Sequence, residues 1–327
     1  MSVLVAGGAG YIGSITAQAL AKEGREVIVY DNLARGHSEA VPAGATFIEG
    51  DLANHKKLKS VLKKYKVDSV MHFAAHSQVG ESMENPSIYF QNNVSTALGI
   101  LDCMLDCGVG YIVFSSTCAI FGEPEIGPIT EDLPKNPASP YGESKLMFER
   151  ILWWYHKIHG LNYAALRYFN ACGASGGLGE DHSPETHLIP VVLQVALGQR
   201  EAITVFGNDY PTPDGTCVRD YIHVEDLARA HILVLEQKSQ AATEYNIGNG
   251  AGYSVLEVIE AARRITGHPI PTKVGPRRPG DPPRLVGSSA KVRAELGWNP
   301  KFPEIGSIVE SAWKWHKDHP KGYRSHG

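Results

Sequence analysis

Residues 3–13 of the chain, VLVAGGAGYIG, place a short apolar run directly before glycines at positions 7, 10 and 13. The apolar run predicts a buried β-strand, and the segment from Ile12 to Ala21 predicts the helix that follows it. Gly7 and Gly10 let the backbone turn tightly and approach a pyrophosphate at the helix N-terminus, and Gly13 lets the helix pack closely on the strand. The segment therefore predicts a dinucleotide-binding strand–loop–helix unit.

The same alternation of apolar runs and amphipathic stretches continues along the first two-thirds of the chain. Further strands are predicted at residues 27–30, 46–49, 69–73, 111–114 and 163–168, with helices at 56–64, 86–106 and 140–159. Near-continuous apolar strands separated by helices are typical of a parallel sheet covered on both faces. We therefore predict an α/β fold with a doubly wound parallel sheet of the Rossmann type.

The regular alternation ends after Phe169, where a stretch rich in Gly, Ser, Asp and His begins. We predict a Rossmann-type cofactor domain at residues 1–169 and a smaller C-terminal α/β domain, mainly for substrate binding, at residues 170–327. We leave open that part of residues 216–240 packs with the first domain.

The overall composition excludes several classes of partner. The net charge is −4, so the chain offers no basic field for nucleic acid. We find no apolar run of the roughly 18 residues that a membrane span requires. The five cysteines form no metal-binding motif, so we predict no metal site and a reducing compartment. Because the first strand begins at Val3, we expect no signal peptide and a cytoplasmic location.

Acidic residues at the ends of two predicted strands indicate the kind of dinucleotide. Asp31 follows the second strand, eighteen residues after Gly13. A carboxylate there accepts both hydroxyls of an adenine ribose and repels a 2′-phosphate, so NAD is favoured over NADP. Arg35 lies close enough in sequence to soften that preference, and Asp31 also fits a turn residue. Asp51 fits either a contact to the adenine edge or a helix N-cap.

A tyrosine and a lysine four residues apart indicate acid–base chemistry. Tyr141 and Lys145 share one face of the helix that opens at Ser139 and Pro140. A nearby ammonium group favours the phenolate and lowers the pKa of the tyrosine toward that of a working base, although such pairs also occur on surfaces. Thr117 ends a parallel strand, at the sheet edge where ligands of this fold bind. We therefore predict a catalytic set of Tyr141, Lys145 and Thr117.

With these residues identified, the chain resembles the extended short-chain dehydrogenase/reductase superfamily, and within it the 4-epimerases of UDP-linked hexoses. The resemblance covers nearly the whole chain, and its motifs in the second half are the more specific ones. The motifs that carry it are GGAGYIG at 7–13, DNL at 31–33, HFAA at 72–75, VGES at 79–82, NNV at 92–94, SPYGESK at 139–145, RYFN at 167–170, HLIP at 187–190, FGNDYP at 206–211 and VRDYIHV at 218–224.

This resemblance implies an activity that interconverts UDP-galactose and UDP-glucose by transient oxidation at C4 with tightly bound NAD. Tyr141 would take the proton from the 4-hydroxyl as hydride moves to NAD, the 4-keto sugar would turn, and hydride would return to its other face. Thr117 would steady the 4-oxygen, and Lys145 would also bind the nicotinamide ribose. The implied cofactor-binding residues are Gly7, Gly10, Tyr11, Ile12, Gly13, Asp31, Asn32, Asp51, Leu52, Phe73, Ala74, Ala75, Asn92, Tyr141, Lys145 and Phe169.

A substrate site is predicted in the second half of the chain. Arg219 and Arg278 lie near glycine and proline turns, and the planar guanidinium fork matches the oxygens of a diphosphate. The resemblance adds contacts to the UDP-hexose from the sugar to the uracil. The implied substrate residues are Thr117, Asn170, His187, Leu188, Thr204, Val205, Phe206, Arg219, Tyr221, Arg278 and Asp281.

Departures from the family pattern leave alternatives open. Leu285 stands where some members carry a larger tyrosine, so a 4-epimerase of UDP-N-acetylglucosamine and UDP-N-acetylgalactosamine, or of both pairs, remains an alternative. Dehydratases place an Asp-Glu pair after the catalytic hydroxyl and decarboxylases usually a Glu at 119, whereas Cys118 and Ala119 occupy these positions here. A non-catalytic NAD sensor would not need the paired base. The resemblance also implies a homodimer formed through the helices at 86–106 and 140–159.

Overall fold

The structure is a computed structural model that describes residues 1–124, 127–238, 242–278 and 281–323. Its strands are β1 (Ser2–Ala6), β2 (Glu26–Asp31), β3 (Thr46–Glu49), β4 (Ser69–His72), β5 (Tyr111–Thr117), β6 (Asn162–Tyr168), β7 (Asn170–Cys172), β8 (Ile203–Phe206), β9 (Val218–Arg219), β10 (Tyr221–His223), β11 (Thr243–Ile247), β12 (Tyr253–Ser254), β13 (Thr272–Gly275) and β14 (Arg284–Leu285). Its α-helices are α1 (Tyr11–Lys22), α2 (His55–Lys64), α3 (Val79–Glu84), α4 (Pro86–Phe90), α5 (Ala97–Cys107), α6 (Pro140–His159), α7 (Leu188–Ala196), α8 (Val224–Gln237), α9 (Val255–Thr266), α10 (Ala290–Leu296) and α11 (Ile305–Asp318).

A parallel sheet of seven described strands organises the first part of the molecule, in the order β11-β6-β5-β4-β1-β2-β3. Successive side chains of β1 enter different cores: Val3 and Val5 pack on one face of the sheet with α1 and α8, whereas Leu4 and Ala6 pack on the other with α2, α5 and α6. Because both faces are covered, strands of this sheet can be apolar along their whole length. The predicted Rossmann-type α/β fold is confirmed.

The sheet is completed by a late segment of the chain. Strand β11 pairs in parallel with β6, from Thr243 beside Ala164 to Ile247 beside Tyr168. Helix α8, which precedes β11, packs on the same face as α1. The segment that returns to the sheet therefore consists of α8 and β11. It overlaps the predicted range 216–240 from residue 224 onward and extends beyond it to Ile247, and residues 239–241 lie outside the described residues. The division at residues 169 and 170 stays a prediction.

The remaining elements form a smaller mixed region beside the sheet. Its core joins α7, α9 and α11 with β8, and β8 pairs in parallel with the more exposed β13. Helix α9 begins at a capping box in which the Ser254 hydroxyl accepts the Glu257 N–H and the Glu257 carboxylate accepts the Ser254 N–H. Short ladders of β9 with β12 and β14, and of β7 with β10, join this region to the end of β6.

One predicted helix differs in its detail. Residues 86–106 were expected to form a single helix, but α4 and α5 are separated by a π-helical turn from Gln91 to Thr96. The buried Asn93 in this turn donates to the His76 carbonyl and to the Ser144 hydroxyl, and these bonds fix the irregular segment against α6. Such turns are frequent at functional sites. In the described part of the chain, no helix combines the length and apolar character required to cross a bilayer.

Candidate active site

The glycine loop after β1 forms a cradle of bare backbone. A Cβ at Gly7 would come within 2.5 Å of the Ala74 nitrogen, and a Cβ at Gly13 within 2.2 Å of the Gly7 oxygen. Gly10 is the N-cap of α1, and no side chain caps it. The first N–H groups of α1, beginning at Tyr11, therefore point out of the helix end, which is the donor set that a pyrophosphate requires.

Asp31 lies at the end of β2 beside this loop. Its Oδ2 accepts the Ala9 N–H at 3.0 Å and its Oδ1 accepts the Leu33 N–H at 2.9 Å. Each oxygen keeps a further lone pair for a ribose hydroxyl. Arg35 is held by Glu81 through a 2.9 Å contact from Nη2 to Oε1, so its charge is already paired. This arrangement fits NAD and gives little support to NADP.

Asp51 and Asn32 form the outer rim of this pocket. The Asn32 amide donates to Asp51 Oδ2 at 2.8 Å, and Asp51 Oδ1 accepts the Ala53 N–H. The N-cap of α2 is Asn54, whose side chain accepts the Lys57 N–H. The alternative interpretation of Asp51 as a helix N-cap is therefore wrong.

The other predicted cofactor positions follow the carboxyl ends of neighbouring strands. Phe73, Ala74 and Ala75 come directly after β4, and the N–H groups of Phe73 and Ala74 both donate to the Ala6 carbonyl at the end of β1. Leu52 follows β3, Phe169 follows β6, and Asn92 lies in the π-helical turn. The positions that follow β3, β4 and β6 thus lie at the carboxyl edge of one parallel sheet, and their contacts with a cofactor stay a prediction.

Helix α6 carries Tyr141 in its first turn. The Ser139 hydroxyl accepts the Gly142 N–H at 3.2 Å, which confirms the predicted N-cap, and Pro140 takes the first helical position. A Cβ at Gly142 would lie 2.6 Å from the Ala119 oxygen, so glycine lets the helix start close to the chain after β5. This approach brings the Tyr141 phenol close enough to Thr117 for that side chain to lower the pKa of the phenol.

The protonation states of the pair differ from the sequence prediction. Burial raises the pKa of Tyr141 to about 12, and the nearby Thr117 only partly opposes this. Burial lowers the pKa of Lys145 to about 7, and Glu149 partly opposes it. The expected lowering of the Tyr141 pKa by Lys145 is not seen in this arrangement, because burial of the phenol dominates its pKa.

Lys145 is almost fully buried and points along the end of β5. Its Nζ donates to the Ser115 carbonyl at 2.7 Å and lies 4.9 Å from the centre of the Phe114 ring. One turn later on α6, the buried Glu149 accepts from Ser116 at 2.5 Å. The Lys145 ammonium is therefore fixed between the strand that bears Thr117 and the interior of the sheet.

A buried ion pair that the sequence analysis missed supports this strand. Arg167 of β6 donates to both oxygens of Glu149, with Nε to Oε1 at 3.0 Å and Nη2 to Oε2 at 2.8 Å. Two-point pairing of this kind satisfies both charges away from water. The available signal was a charged residue inside each of two apolar segments, at 149 and 167, which favours a mutual partner.

The second half of the chain gathers the predicted nucleotide-binding residues. Arg219 of β9 pairs with Asp281, and the guanidinium of Arg278 lies 4.1 Å from the centre of the Phe206 ring. The Arg219 and Asp281 side chains are 13% and 26% exposed. This group offers two guanidinium groups, one carboxylate and an aromatic face, which suits a diphosphate, a ribose and a base.

The remaining predicted substrate residues differ in whether the side chain is exposed or buried in the core. Thr204 is exposed on β8, whereas the Val205 side chain packs in the core and leaves only its backbone for a ligand. The Tyr221 ring is also buried in that core. Asn170 is exposed at the start of β7, and its amide donates to the Asp220 carbonyl at 2.8 Å.

His187 and Leu188 lie at the start of α7, at the end of the loop that follows β7. The Nδ1 of His187 contacts Glu180 at 2.9 Å and Glu185 at 3.0 Å, so only Nε2 of its ring is left for a substrate. His182 lies in the same group. The sequence analysis missed this cluster because it tested cysteine motifs for metal binding, although the pattern ExHxxExH at 180–187 was present.

Comparisons with known proteins cover both parts of the molecule. A model described as the NAD dependent epimerase/dehydratase family matches residues 3–248. A UDP-glucose 4-epimerase of Halalkalibacterium halodurans is 52% identical over 327 residues, which cover 99% of this chain and 98% of that protein. A crystal structure of a UDP-glucose 4-epimerase has a TM-score of 0.97 at 51% identity, covering 99% and 100% of the two chains. The UDP-glucose 4-epimerase of Brucella ovis in complex with NAD has a TM-score of 0.93 at 44% identity, covering 96% and 97%. The predicted resemblance is confirmed.

Proposed function

Because the chain belongs to the NAD-dependent epimerase/dehydratase family, we propose that it is a 4-epimerase that interconverts UDP-galactose and UDP-glucose. The observation that carries the proposal is the position of Tyr141, which lies in the first turn of α6 beside Thr117 at the carboxyl end of β5, one helical turn from Lys145. The family membership also makes NAD the cofactor of this enzyme.

The residues of the cofactor pocket fit NAD. The open N-terminus of α1 at Gly10 and Tyr11 would hold the pyrophosphate, and Asp31 would accept the adenine ribose hydroxyls. Lys145 and Tyr141 would contact the nicotinamide ribose. When bound, NAD supplies a hydride acceptor that can return the hydride, and a positively charged ring whose field favours a nearby phenolate.

Tyr141 would hold and return the proton of the sugar 4-hydroxyl. A phenol with a pKa of about 12 is protonated at neutral pH, so its task as a base needs added positive charge in the closed site. Thr117 would hold the 4-oxygen at a fixed distance, because its hydroxyl is buried and also accepts the Ala119 N–H at 3.1 Å. The β-branched threonine has little rotamer freedom, which suits a positioning hydroxyl.

The substrate half would anchor the nucleotide and leave the hexose loosely held. Arg219 and Arg278 would bind the diphosphate, Asp281 the uridine ribose, and Thr204 and Phe206 the base. Among the sugar contacts, Asn170 is exposed at a strand end and can turn toward a ligand. Weak contacts to the hexose are required, since a firmly held sugar could not present both faces of C4.

A wider substrate range is a second candidate, and Leu285 favours it. This residue pairs in register with Arg219 and packs beside the buried Phe169. A leucine is smaller than the tyrosine found at this position in some members of the family, so it leaves room for an N-acetyl group. We therefore extend the proposal to UDP-N-acetylglucosamine and UDP-N-acetylgalactosamine as alternative substrates.

The test is to incubate the purified protein separately with UDP-galactose and UDP-N-acetylgalactosamine, adding no cofactor, and to measure each C4 epimer. We expect UDP-glucose to form, because the cofactor is regenerated in each cycle and stays bound. Conversion of both substrates would support the wider range. A protein that contains NAD but converts neither substrate would be a binding protein, and the enzymatic proposal would be wrong.

We further propose that two copies of the chain pair through α3, α4 and α6. These helices leave large apolar side chains on the surface, with Trp154 at 53%, Met83 at 62% and Ile158 at 66% exposure. Trp153, Met147 and Ile88 are exposed on the same helices. Apolar side chains concentrated on one group of helices mark an interaction surface.

Sedimentation of the intact protein tests this interface. We expect a dimer for the wild-type protein and for Leu256→Glu, which alters an exposed leucine on α9 away from the proposed surface. Trp154→Glu should sediment as a monomer, because two carboxylates would be buried at the interface. A monomeric wild-type protein, or a Trp154→Glu variant that stays dimeric, would exclude this surface.

We also propose a cytoplasmic location. All five cysteines are free thiols in the structure. Free thiols are typical of proteins kept in a reducing compartment. Fractionation of source cells, with the protein detected by its activity, tests this assignment.

A further inference from the structure

Four side chains of the loop before α7 converge on one point. The carboxylates of Glu180 and Glu185 and the imidazoles of His182 and His187 each offer one atom, and these four atoms all lie within 4.8 Å of one another. The Glu180 and Glu185 side chains are only 6% and 5% exposed. Two carboxylates buried side by side repel each other and need positive charge between them.

The imidazole–carboxylate distances in this group are close to those between ligand atoms of a tetrahedral metal site. The pairs that join His187 Nδ1 to Glu180 Oε1 and Glu185 Oε1 measure 2.9 and 3.0 Å, and those that join His182 Nδ1 to Glu180 Oε1 and Glu185 Oε2 measure 3.2 and 3.7 Å. Zinc bonds of roughly 2.0–2.1 Å place tetrahedral ligand atoms about 3.3 Å apart. The observed distances lie on both sides of this value.

His182 completes the group of four possible metal ligands. Its Nδ1 is buried and lies 3.2 Å from Glu180 Oε1, yet its geometry makes no hydrogen bond with any described residue. A ring nitrogen that faces two carboxylates at this distance can bind a metal ion that the carboxylates also bind. Two neutral imidazoles, two carboxylates and one divalent cation together carry no net charge.

Supporting hydrogen bonds fix the ligands. Glu185 Oε1 accepts the N–H groups of Thr186 and His187, both at 2.8 Å, so that carboxylate cannot rotate freely. Outer contacts of this kind orient metal ligands. We propose that Glu180, His182, Glu185 and His187 form a structural site for a divalent transition metal, with Zn²⁺ as the ion that suits two imidazoles and two carboxylates.

The site would secure the loop that joins the two parts of the molecule. The Tyr11 hydroxyl donates to the Gly173 carbonyl at 2.6 Å, Arg35 Nη1 to the Ser183 carbonyl at 3.2 Å, and Gln78 Nε2 to the Pro184 carbonyl at 3.0 Å. These bonds hold the loop on the cofactor pocket. A metal within the loop would fix His187 and the start of α7, which carry predicted substrate contacts. With all four positions filled by protein, the ion is structural rather than catalytic.

The test uses the full-length protein freed of metal by a chelator and dialysed against a known concentration of Zn²⁺. We expect one equivalent of zinc per chain in the wild-type protein and in His268→Ala, which removes an exposed histidine outside the loop. His182→Ala and Glu180→Gln should each bind Zn²⁺ at least tenfold more weakly. Metal content is measured by mass spectrometry, and the folding of each variant by circular dichroism.

Cobalt(II) gives a second measurement that does not depend on stability. Co²⁺ bound to the wild-type protein should show the intense visible absorption of a four-coordinate ion, and His182→Ala should lose it. Zinc addition should also raise the melting temperature of the wild-type protein but not that of His182→Ala. A folded wild-type protein that binds no stoichiometric Zn²⁺, or a His182→Ala variant with unchanged binding and spectrum, would overturn the proposal.

Discussion

Two arginine–carboxylate pairs lie on either side of the candidate active site, and they differ in burial. Arg167 and Glu149, between β6 and α6, are 3% and 6% exposed and joined by two hydrogen bonds. Arg219 and Asp281, in the substrate half, are 13% and 26% exposed. The same chemical pair thus occurs once fully buried in the sheet domain and once with partial exposure to solvent.

The difference indicates two tasks for similar groups. A buried pair cannot exchange partners, because removing either member leaves an unpaired charge in the interior. Glu149 also holds Ser116, next to Thr117, so the buried pair fixes the end of β5 at the proposed catalytic site. A solvent-accessible pair can open when a diphosphate and a ribose offer replacement partners. We infer a rigid catalytic half and an adaptable substrate half.

The largest effect is expected from the group that the rigid half positions. Tyr141→Phe should lower kcat by roughly 10²–10⁴-fold, because the proton acceptor is lost. NAD should remain bound, and its content can be measured after denaturation of the variant. Tyr155→Phe makes the same change farther along α6, where the hydroxyl contacts Asp102, and it should retain activity. Full activity in Tyr141→Phe would remove the assigned base.

Glu149→Gln tests the buried pair directly. It leaves Arg167 charged and incompletely paired in the interior, so the free energy of unfolding should fall by about 3–5 kcal/mol. Glu260→Gln, which breaks the surface pair with Arg263, should cost less than about 1 kcal/mol. Urea unfolding of both variants gives the comparison. Equal losses would contradict the distinction between a structural pair and a surface pair.

A buried histidine extends the comparison to pH. Burial lowers the pKa of His231 from 6.5 to about 4, and its ring contacts the Tyr168 hydroxyl at 2.7 Å. The unfolded chain therefore binds a proton at higher pH than the folded chain. The stability contributed by this group is present above pH 6.5 and is lost as the pH falls toward about 4.

The expected loss over that range is at most about 3 kcal/mol. His231→Gln, which does not titrate, should show a smaller dependence of unfolding free energy on pH than the wild-type protein. His268→Gln, at an exposed position, should follow the wild-type curve. If the unfolding free energy of His231→Gln depends on pH as steeply as that of the wild-type protein, burial in the sheet domain does not keep the His231 imidazole neutral.

The smallest effect is expected from the more exposed pair, Arg219 and Asp281. Arg219→Ala should raise KM for UDP-galactose about 10- to 100-fold with little change in kcat, because a charged hydrogen bond to a diphosphate contributes roughly 1.5–3 kcal/mol. Its unfolding free energy should change far less than that of Glu149→Gln. Arg277→Ala, beside the exposed Asp209, is the matched control and should leave KM unchanged. A fall in kcat alone would instead place Arg219 among the positioning groups of the rigid half.

The parts of the fold that the sequence predicted are those with strong local patterns. Strands β1 to β6 are continuous apolar runs, and α6 opens with a recognisable cap at Ser139, so both were found from residue order alone. Strand β11, TEYNI, carries polar residues, among them the buried Asn246, whose amide donates to the Ile129 carbonyl, and periodicity did not distinguish it. The π-helical turn depends on side-chain bonds of Asn93, which no local pattern encodes.

The candidate site divides in the same way. The glycine loop, Asp31 and Tyr141 each sit at a strand or helix end that the sequence marks, so their positions were predictable. The pKa of Lys145 was not, because it depends on how deeply tertiary packing buries the amine. The pairing of Arg167 with Glu149 joins residues from a strand and a helix, and only the folded packing brings them into contact.

Strand β11 has a consequence for how the protein is made. Residues 243–247 leave the ribosome only after the whole 170–242 segment has been synthesised. Until then the nascent chain presents β6 with a free row of backbone donors and acceptors, a surface that recruits other extended chains. Premature termination before residue 243 should therefore yield insoluble fragments, and slow translation through this segment would prolong the need for a chaperone.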